Sequence, residues 1–160
     1  YLLNSKNSGH PAPDKCSEAI ENYQNEVCEC SIGFGGGCSM DCAKAVGARI
    51  AKPKQSLAKM KGILKVHKKL PLLMAVPTTA GTGSETTLAA VITDAQTRYK
   101  YAINDFPLIP RYAVLDPKVT LSLPPFIPAA TGTDALTHPV EPYIGNSTTD
   151  GTRQDALLAR

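Results

Sequence analysis

Three short segments of this chain have the residue types that can bind a phosphate or a metal ion. The first is the triple glycine at residues 35–37, which stands between a short apolar segment and a helical pattern. Residues without a Cβ let backbone N–H groups approach an anion closely, and the helix that follows adds the positive end of its dipole. A phosphate fits such a turn, but tight turns also use glycine for packing alone, and the G-x-G-x-x-G spacing is missing.

The second segment is a small, polar stretch, TTAGTGS at residues 78–84. Its hydroxyl groups can donate hydrogen bonds to phosphate or ribose oxygens. It lacks the G-K-[ST] ending of a P-loop, so nothing in it indicates a nucleotide triphosphatase. Two such loops at the carboxyl ends of strands can bracket one extended ligand that has phosphates in its middle.

The third segment contains Asp134 and His138, which are four residues apart in a predicted helix. Both side chains therefore leave the same helix face. A carboxylate and an imidazole suit a divalent first-row metal. An ordinary surface pair has the same spacing, and the other histidines, His10 and His67, lie far away in sequence, so both interpretations stay open at this point.

Alternating helix and strand patterns position these segments. Helical spacing predicts helices over residues 13–24 and 39–51. The predicted strands occupy residues 31–34, 70–76, 88–93, 99–103 and 112–115. The continuous apolar run at residues 70–76 is typical of a strand buried on both faces of a parallel sheet, and residues 94–97 form a predicted hairpin turn. This order predicts a doubly wound α/β domain.

The middle of the chain is strongly basic, with no acidic residue between Cys42 and Ser84. Its nine basic residues are Lys44, Arg49, Lys52, Lys54, Lys59, Lys61, Lys65, Lys68 and Lys69. Apolar residues recur at helical spacing over residues 57–67, which predicts an amphipathic helix with a solvated lysine face. A nucleic-acid surface is the alternative, but this stretch has no aromatic side chain to stack on bases. We therefore expect no nucleic-acid partner.

Composition and cysteine usage indicate a globular, cytoplasmic protein without a membrane partner. Hydrophobic residues make up 42% of the 160 residues and charged residues 19%, and no apolar run is long enough to cross a bilayer. The five cysteines are an odd number, which argues against a disulfide framework. A metal knuckle built from Cys28, Cys30, Cys38 and Cys42 is an alternative, but the spacings do not match paired C-x2-C arms.

The last part of the chain changes character. The prolines at positions 124, 125 and 128 mark a break, after which the pattern is helical to the end. We therefore predict a domain boundary near Ser122. The roughly 40 residues beyond it are too few for an independent helical domain, so we expect them to begin a longer one.

The three segments together resemble the signature segments of a known family. The stretches concerned are GGGCSMDCAK at residues 35–44, PTTAGTGSE at residues 77–85 and TGTDALTH at residues 131–138. In order and spacing they are similar to the iron-containing (group III) alcohol dehydrogenases. The similarity also includes residues 91–94, Lys100 and Asp116-Pro117, so it covers nearly the whole chain from about Pro11 onward.

The resemblance implies two domains with the cofactor and the metal in the cleft between them. A Rossmann-like dinucleotide-binding domain would occupy residues 1–122, with the family's first strand expected ahead of Tyr1, and an all-helical domain would begin at residues 123–160. The implied contacts to NAD or NADP are Gly35, Gly36, Gly37, Cys38, Asp41, Thr78, Thr79, Thr82 and Lys100. The implied metal-binding and catalytic residues are Asp134 and His138, which would hold Fe²⁺ or, as in some members, Zn²⁺.

The implied reaction is reversible hydride transfer between the carbon of a primary or secondary alcohol and the nicotinamide ring. The metal would bind the substrate oxygen, and the cofactor would carry the hydride. A small-molecule alcohol or aldehyde is the expected substrate, and the full-length enzyme is expected to be a homo-oligomer. Family members take two further histidine ligands from the helical domain after this pair, so we expect the 160 residues alone to hold a metal poorly and to be inactive.

Two residues depart from the family pattern. Cys38 stands where the family has serine, which exchanges a good hydroxyl donor for a weak thiol donor. Pro139 follows His138 and removes one helical hydrogen bond, so the Asp134–His138 pair survives only if a kink falls beyond His138. Two alternatives stay open: a metal-independent reductase similar to the maleylacetate reductases, against which both retained metal residues speak, and a non-catalytic remnant that binds a dinucleotide.

Overall fold

Strands and helices alternate through the first part of the computed structural model, which describes residues 2–4, 13–94 and 97–159. The strands are β1 (Leu2–Asn4), β2 (Cys30–Gly35), β3 (Gly62–Ile63), β4 (Leu72–Pro77), β5 (Ala89–Thr93), β6 (Lys100–Asn104) and β7 (Tyr112–Ala113). The helices are α1 (Pro13–Asn25), α2 (Gly37–Ala51), α3 (Phe126–Ile144) and α4 (Asp150–Leu158). The predicted helices at 13–24 and 39–51 and the predicted strands are therefore confirmed as elements.

A parallel sheet in the order β1-β2-β4-β7 forms the base of the fold. β2 and β4 pair in parallel with Gly35 opposite Pro77. The triple glycine and the polar stretch that follows Pro77 therefore leave the same edge of the sheet. We call them the glycine turn (residues 35–37) and the threonine loop (residues 78–87). The predicted hairpin is confirmed because β5 and β6 pair antiparallel, with Thr93 opposite Lys100, while Ala95 and Gln96 lie outside the described residues.

Helix α2 covers one face of the parallel sheet. Every residue from Ser39 to Ala48 is buried. A Cβ at Gly33 of β2 would lie 3.2 Å from the Cβ of Ala43, so the helix approaches the strand as closely as a glycine allows. This close packing places α2, and the glycine turn at its start, directly over the strand.

Helix α1 packs on the outer side of α2 through two thiols. The Sγ atoms of Cys16 and Cys42 are 3.5 Å apart and both residues are buried. The hydrogen bond with Cys42, together with burial, raises the pKa of the Cys16 thiol, so this thiol stays protonated and inert. Cys42 therefore faces α1, and a knuckle of Cys28, Cys30, Cys38 and Cys42 is not formed.

The predicted amphipathic helix over residues 57–67 is wrong. A single 3₁₀ turn, Leu57–Met60, is followed by the short strand β3, and the chain then takes positive φ at Leu64 (52°) and His67 (48°). The cause is tertiary. The Leu64 N–H donates to the carbonyl of Asn104 in β6, and the Asp105 carboxylate accepts from the backbone N–H groups of the two residues after Lys65.

The strand predicted at residues 70–76 begins at Leu72 and is buried on one face rather than both. Leu73 and Ala75 are buried, whereas Met74 and Val76 are only half-buried. Leu73 and Ala75 pair with Ser31 and Gly33, which places them on the face that α2 covers. Although the sequence of this strand is continuously apolar, its residues alternate between a buried face and a half-buried face.

The last part of the described chain is helical, as predicted. α3 runs unbroken past Pro139 and Pro142, and α4 packs against it. The helices begin shortly after Ser122, and the domain boundary there stays a prediction. No residue of α3 is buried. Among the described helices, none is both long enough and apolar enough to span a bilayer.

The Asp105 carboxylate is the structural anchor of the segment after β3, and its removal tests this role. Asp105 is 2% exposed and its Oδ2 accepts from the N–H groups of Val66 and His67 at 2.8 and 2.9 Å. Asp105→Ala leaves two backbone donors without an acceptor, so we expect the free energy of unfolding to fall by about 2–4 kcal/mol in urea denaturation followed by circular dichroism.

Asp116→Ala is the matched control. The exposed Asp116 carboxylate caps a short helical turn by accepting from the Lys118 N–H. Its loss should cost about 0.5–1 kcal/mol, as for an ordinary N-cap. Equal costs for the two substitutions would contradict the anchoring role of Asp105.

Candidate cofactor and metal site

The glycine turn has two kinds of glycine. Gly35 has φ +141°, and a Cβ there would overlap the Ser39 hydroxyl, so the backbone itself requires glycine. Gly36 is the N-cap of α2 with an ordinary φ of −76°, and it supplies no side-chain cap. The first turn of α2 also contains no acidic residue. The positive end of the helix dipole is therefore neither capped nor neutralised by a side chain of that turn.

The threonine loop lies directly against the glycine turn. The Thr78 N–H donates to the Gly35 carbonyl at 2.8 Å. A Cβ built at Gly36 would lie 3.4 Å from Thr79 Oγ1, and one built at Gly37 would lie 3.4 Å from Thr82 Oγ1. The two loops thus form one shallow cradle, in which hydroxyl groups face backbone without side chains.

One atom of this cradle lacks a hydrogen bond. Thr79 Oγ1 is buried and has no hydrogen-bond partner among the described atoms. An unsatisfied buried hydroxyl costs about 1–3 kcal/mol. Together with the uncapped start of α2, it makes the cradle suited to a ligand that carries both negative charge and hydrogen-bonding oxygens, as a dinucleotide pyrophosphate does.

A buried pair on α2 holds the far end of the threonine loop. Asp41 Oδ1 accepts from Ser84 Oγ at 2.9 Å, and Asp41 Oδ2 accepts from the Val91 N–H at 3.1 Å. The Lys44 ammonium donates to the carbonyls of Thr87 and Ala89 at 2.9 and 2.8 Å, to Thr87 Oγ1 at 2.9 Å and to Ser84 Oγ at 3.3 Å. Two side chains of one helix therefore fasten the segment from Ser84 to Val91.

Burial controls the titration of Lys44. The side chain is fully buried and its ammonium lies 3.9 Å from Asp41 Oδ1. Burial lowers the pKa of Lys44 to about 8, while the carboxylates of Asp41 and Glu85 act in the opposite direction. The ammonium is therefore mostly charged at neutral pH.

Helix α3 reaches the cradle through the threonine loop. Gly81 has φ +126°, and a Cβ there would overlap the backbone carbonyl of Thr131. Asp134 lies one helical turn further along α3, and its Oδ1 is 3.8 Å from His138 Nε2. The structure therefore brings the predicted metal pair to the same side of the fold as the cradle, with each side chain 49% exposed.

The pair supplies two donors of the right chemistry. A carboxylate oxygen and an imidazole nitrogen on one face suit a divalent first-row metal. Within the described part of the chain, no three side chains of His, Cys, Asp or Glu come together as a metal site. Pro139 does not disrupt the pair, because α3 continues through it. Asp134 and His138 by themselves therefore do not make a complete metal site among the described residues.

A cavity of about 340 Å³ opens on the other side of the threonine loop. Thr79, Gly81 and Glu85 line one wall, and Leu115 and Asp116 line the opposite wall. Thr79, whose hydroxyl lacks a partner in the cradle, thus also lines this cavity.

The structure separates the predicted cofactor residues into groups. Gly35, Gly36, Gly37, Cys38, Thr78, Thr79 and Thr82 belong to the cradle or its immediate edge. Lys100 is exposed at the start of β6, where it pairs with Thr93. The threonine loop leads into the other end of this hairpin, at Ala89, so Lys100 lies away from the cradle. Asp41 lies beneath the threonine loop rather than on its surface.

Sequence reasoning did not assign a role to Lys44, and it placed Ser84 only among the ligand-facing hydroxyls of residues 78–84, whereas the Ser84 hydroxyl donates to Asp41. Lys44, predicted with the other basic residues to be solvated, is fully buried. A signal was present, because Lys44 follows Asp41 by three residues in a helix whose other residues are mostly apolar. A charged pair at that spacing on a buried helix needs polar partners from elsewhere in the fold.

Comparisons with known proteins agree on one family. A family model described as iron-containing alcohol dehydrogenase matches residues 2–117. The chain is 41% identical over 151 residues to the probable alcohol dehydrogenase EutG of Salmonella typhimurium, and the match covers 94% of this chain and 38% of that protein. It is 36% identical over 149 residues to the NAD-dependent methanol dehydrogenase of Bacillus methanolicus, covering 93% of this chain and 39% of that protein.

A solved structure supports the same assignment. The structure of a 1,3-propanediol oxidoreductase superposes with a TM-score of 0.87 at 33% identity, over 94% of this chain and 39% of that chain. The predicted Rossmann-like α/β fold followed by helices is thereby confirmed. The chain spans about two-fifths of the length of these relatives.

The contact between Gly81 and Thr131 can be tested with two glycines. Gly81→Ala forces a side chain into a left-handed conformation and onto the α3 backbone, so we expect the free energy of unfolding to fall by at least about 1–3 kcal/mol. Gly132→Ala is the control, because a Cβ there meets nothing within 4 Å. In an exposed helix that change should stabilise by about 0.5–1 kcal/mol. The free energy of unfolding of both variants is measured by urea denaturation. Similar changes in the two variants would contradict the close contact between Gly81 and Thr131.

The titration of Lys44 predicts a pH dependence of stability. Between about pH 8 and the ordinary lysine pKa of 10.5, the folded protein has released the Lys44 proton and the unfolded chain still holds it. The free energy of unfolding should therefore gain a component that rises with pH, by up to about 1.4 kcal/mol per unit. Lys44→Met should remove this rise in denaturation curves measured across the window, whereas the exposed control Lys59→Met should keep it. A rise that persists in Lys44→Met would contradict the assignment.

Proposed function

The chain belongs to the iron-containing alcohol dehydrogenase family, and on that premise we propose that it forms the cofactor cleft of an NAD(P)-dependent alcohol dehydrogenase. The proposed reaction is the reversible oxidation of a primary or secondary alcohol to an aldehyde or ketone by hydride transfer. The single observation that carries this proposal is the buried, unpartnered Thr79 hydroxyl in a cradle against the uncapped start of α2.

The cradle is proposed to bind the pyrophosphate of the dinucleotide. Gly36 and Gly37 leave room for phosphate oxygens to approach the backbone at the positive end of α2. Cys38 follows them, and its backbone rather than its weakly donating thiol is expected to serve the phosphate. Thr79 and Thr82 face this space from the opposite loop and are expected to donate their hydroxyl hydrogens to the ligand.

Asp134 and His138 are proposed to hold the metal together with ligands from elsewhere in the whole protein. Their carboxylate and imidazole donor atoms fit a divalent metal. The contact between Gly81 and Thr131 keeps α3 next to the threonine loop. When bound, the metal supplies Lewis-acid polarisation of an oxygen and the nicotinamide supplies the hydride acceptor. The role of this chain is then to fix the distance between the two groups.

The finer assignments follow from the relatives and from the retained pair. NAD is the proposed cofactor because the methanol dehydrogenase relative is NAD-dependent, with NADP as the alternative. Iron is the proposed metal because the matching family is described as iron-containing, with zinc as the alternative. The proposed substrate is a small alcohol, and the proposed whole enzyme is a cytoplasmic homo-oligomer. Retention of both Asp134 and His138 favours this reaction over a metal-independent reductase.

Thr79→Val tests the proposal because it keeps the shape of the side chain and removes only the hydroxyl. Without a ligand, the unsatisfied polar atom disappears, so the free energy of unfolding should rise by about 1 kcal/mol. With a ligand, a donor to the pyrophosphate is lost, so the affinity for NADH should fall about tenfold. Fluorescence titration of NADH and urea denaturation measure the two effects on the 160-residue chain.

Thr133→Val is the control for both effects. The Thr133 hydroxyl is exposed on α3 and donates to the Ala129 carbonyl, away from the cradle. NADH affinity should not change in this variant. A wild-type chain that binds neither NADH nor NADPH, or a Thr79→Val variant with unchanged affinity, would overturn the proposed role of the cradle.

A further inference from the structure

A densely hydrogen-bonded polar cluster lies beneath the threonine loop and does not face the cradle. It consists of Asp41, Lys44, Ser84 and Thr87, and we call it the loop clamp. A proton-donating chain runs through it, because Lys44 Nζ donates to Ser84 Oγ and Ser84 Oγ donates to Asp41 Oδ1. Thr87 gives both its carbonyl and its hydroxyl oxygen to the same ammonium.

The two charged members of the clamp are turned away from solvent. The Lys44 side chain is 0% exposed and the Asp41 side chain is 11% exposed. Lys44 donates to acceptors between Ser84 and Ala89, and Asp41 accepts from Ser84 and Val91. A ligand that approaches the cradle therefore meets the threonine loop, and the clamp lies underneath it.

We propose that Asp41 and Lys44 are positioning residues that hold the threonine loop in its cofactor-binding conformation and set cofactor affinity through that loop. This inference rests on the proposed function, because it supposes that a dinucleotide binds in the cradle. It gives Asp41 an indirect role, in contrast to the direct cofactor contact that the resemblance implies.

The loop is fastened at two ends. At its start, the Thr78 N–H bonds to the Gly35 carbonyl. At its end, the clamp fixes Ser84 and Thr87 to α2, the same helix whose start forms the cradle. The residues between these points carry the Thr79 and Thr82 hydroxyls that face the glycine turn. If one end of the loop is released, the loop and its hydroxyls become ordered only when the ligand binds. The conformational entropy lost in that step lowers the affinity for the dinucleotide.

A purely structural role for the buried charges makes a different prediction. Any buried carboxylate that is removed lowers global stability. A positioning role adds a local effect, which is faster hydrogen exchange of the amides at residues 79–87 before the protein unfolds globally. Asp105 provides the comparison, because it is another buried carboxylate, and its oxygen accepts from two backbone N–H groups, those of Val66 and His67.

The experiment compares Asp41→Asn, Lys44→Met and Asp105→Asn in the 160-residue chain. NADH affinity is measured by fluorescence titration, and hydrogen exchange is measured without NADH by mass spectrometry. We expect all three variants to be less stable than the wild type. Asp41→Asn and Lys44→Met should bind NADH about tenfold more weakly, whereas Asp105→Asn should keep wild-type affinity.

Hydrogen exchange separates this inference from the proposed function. Exchange at residues 79–87 should be at least several-fold faster in Asp41→Asn and Lys44→Met than in Asp105→Asn. Should exchange there match the Asp105→Asn rate, the positioning role is overturned even if NADH binds. Should the wild-type chain bind no dinucleotide while loop exchange responds as expected, the proposed function is overturned and the structural link between clamp and loop stands.

Ser84→Ala is the second variant if either charge substitution prevents folding. It removes the bond between the Ser84 hydroxyl and Asp41 and one of the acceptors of Lys44, without leaving a charge unpaired. We expect the same pattern at smaller size, with a severalfold loss of NADH affinity and faster exchange in the loop. Unchanged affinity and exchange in a folded Ser84→Ala variant would overturn the proposal.

Discussion

A buried ammonium group governs the arrangement of the site. Lys44 lies on a helix that is packed flat against the parallel sheet, so its charge has no route to water. Burying a charge without partners costs several kcal/mol. The fold meets this demand by bringing the segment from Ser84 to Ala89 over the helix, where its oxygens accept from the ammonium and Asp41 lies nearby. Because the glycine turn begins the same helix, this constraint also places the glycine turn and the threonine loop in contact.

Both loops depart from what local stability alone would select. Gly35 occupies a backbone conformation that side chains rarely adopt, and the Thr79 hydroxyl is buried without a partner. Strained backbone and unsatisfied buried polar groups cluster at functional sites, where a bound ligand can provide the missing hydrogen bond. The rigid sheet and the close packing of α2 on Gly33 allow the chain to maintain them.

The metal pair depends on a different contact. Helix α3 has no buried residue, and it contacts the threonine loop where Gly81 lies against the Thr131 carbonyl. Asp134 and His138 follow on that helix, and both side chains are half exposed. The threonine loop therefore lies between the α2 charges that bind its end and the α3 helix that carries Asp134 and His138.

The sequence by itself determined the elements with strong local signals: α1, α2, the hairpin, the glycine turn and the Asp134–His138 face. Periodicity and glycine act within a few residues, so one segment suffices to predict them. Tertiary structure decided that residues 57–67 are not one helix, because the N–H groups of Leu64, Val66 and His67 donate to Asn104 and Asp105, which lie far along the chain. It also decided that Lys44 is buried, since the oxygens that accept from its ammonium belong to Ser84, Thr87 and Ala89, about 40 residues further along the chain. Interactions between distant segments leave no periodic trace in the sequence.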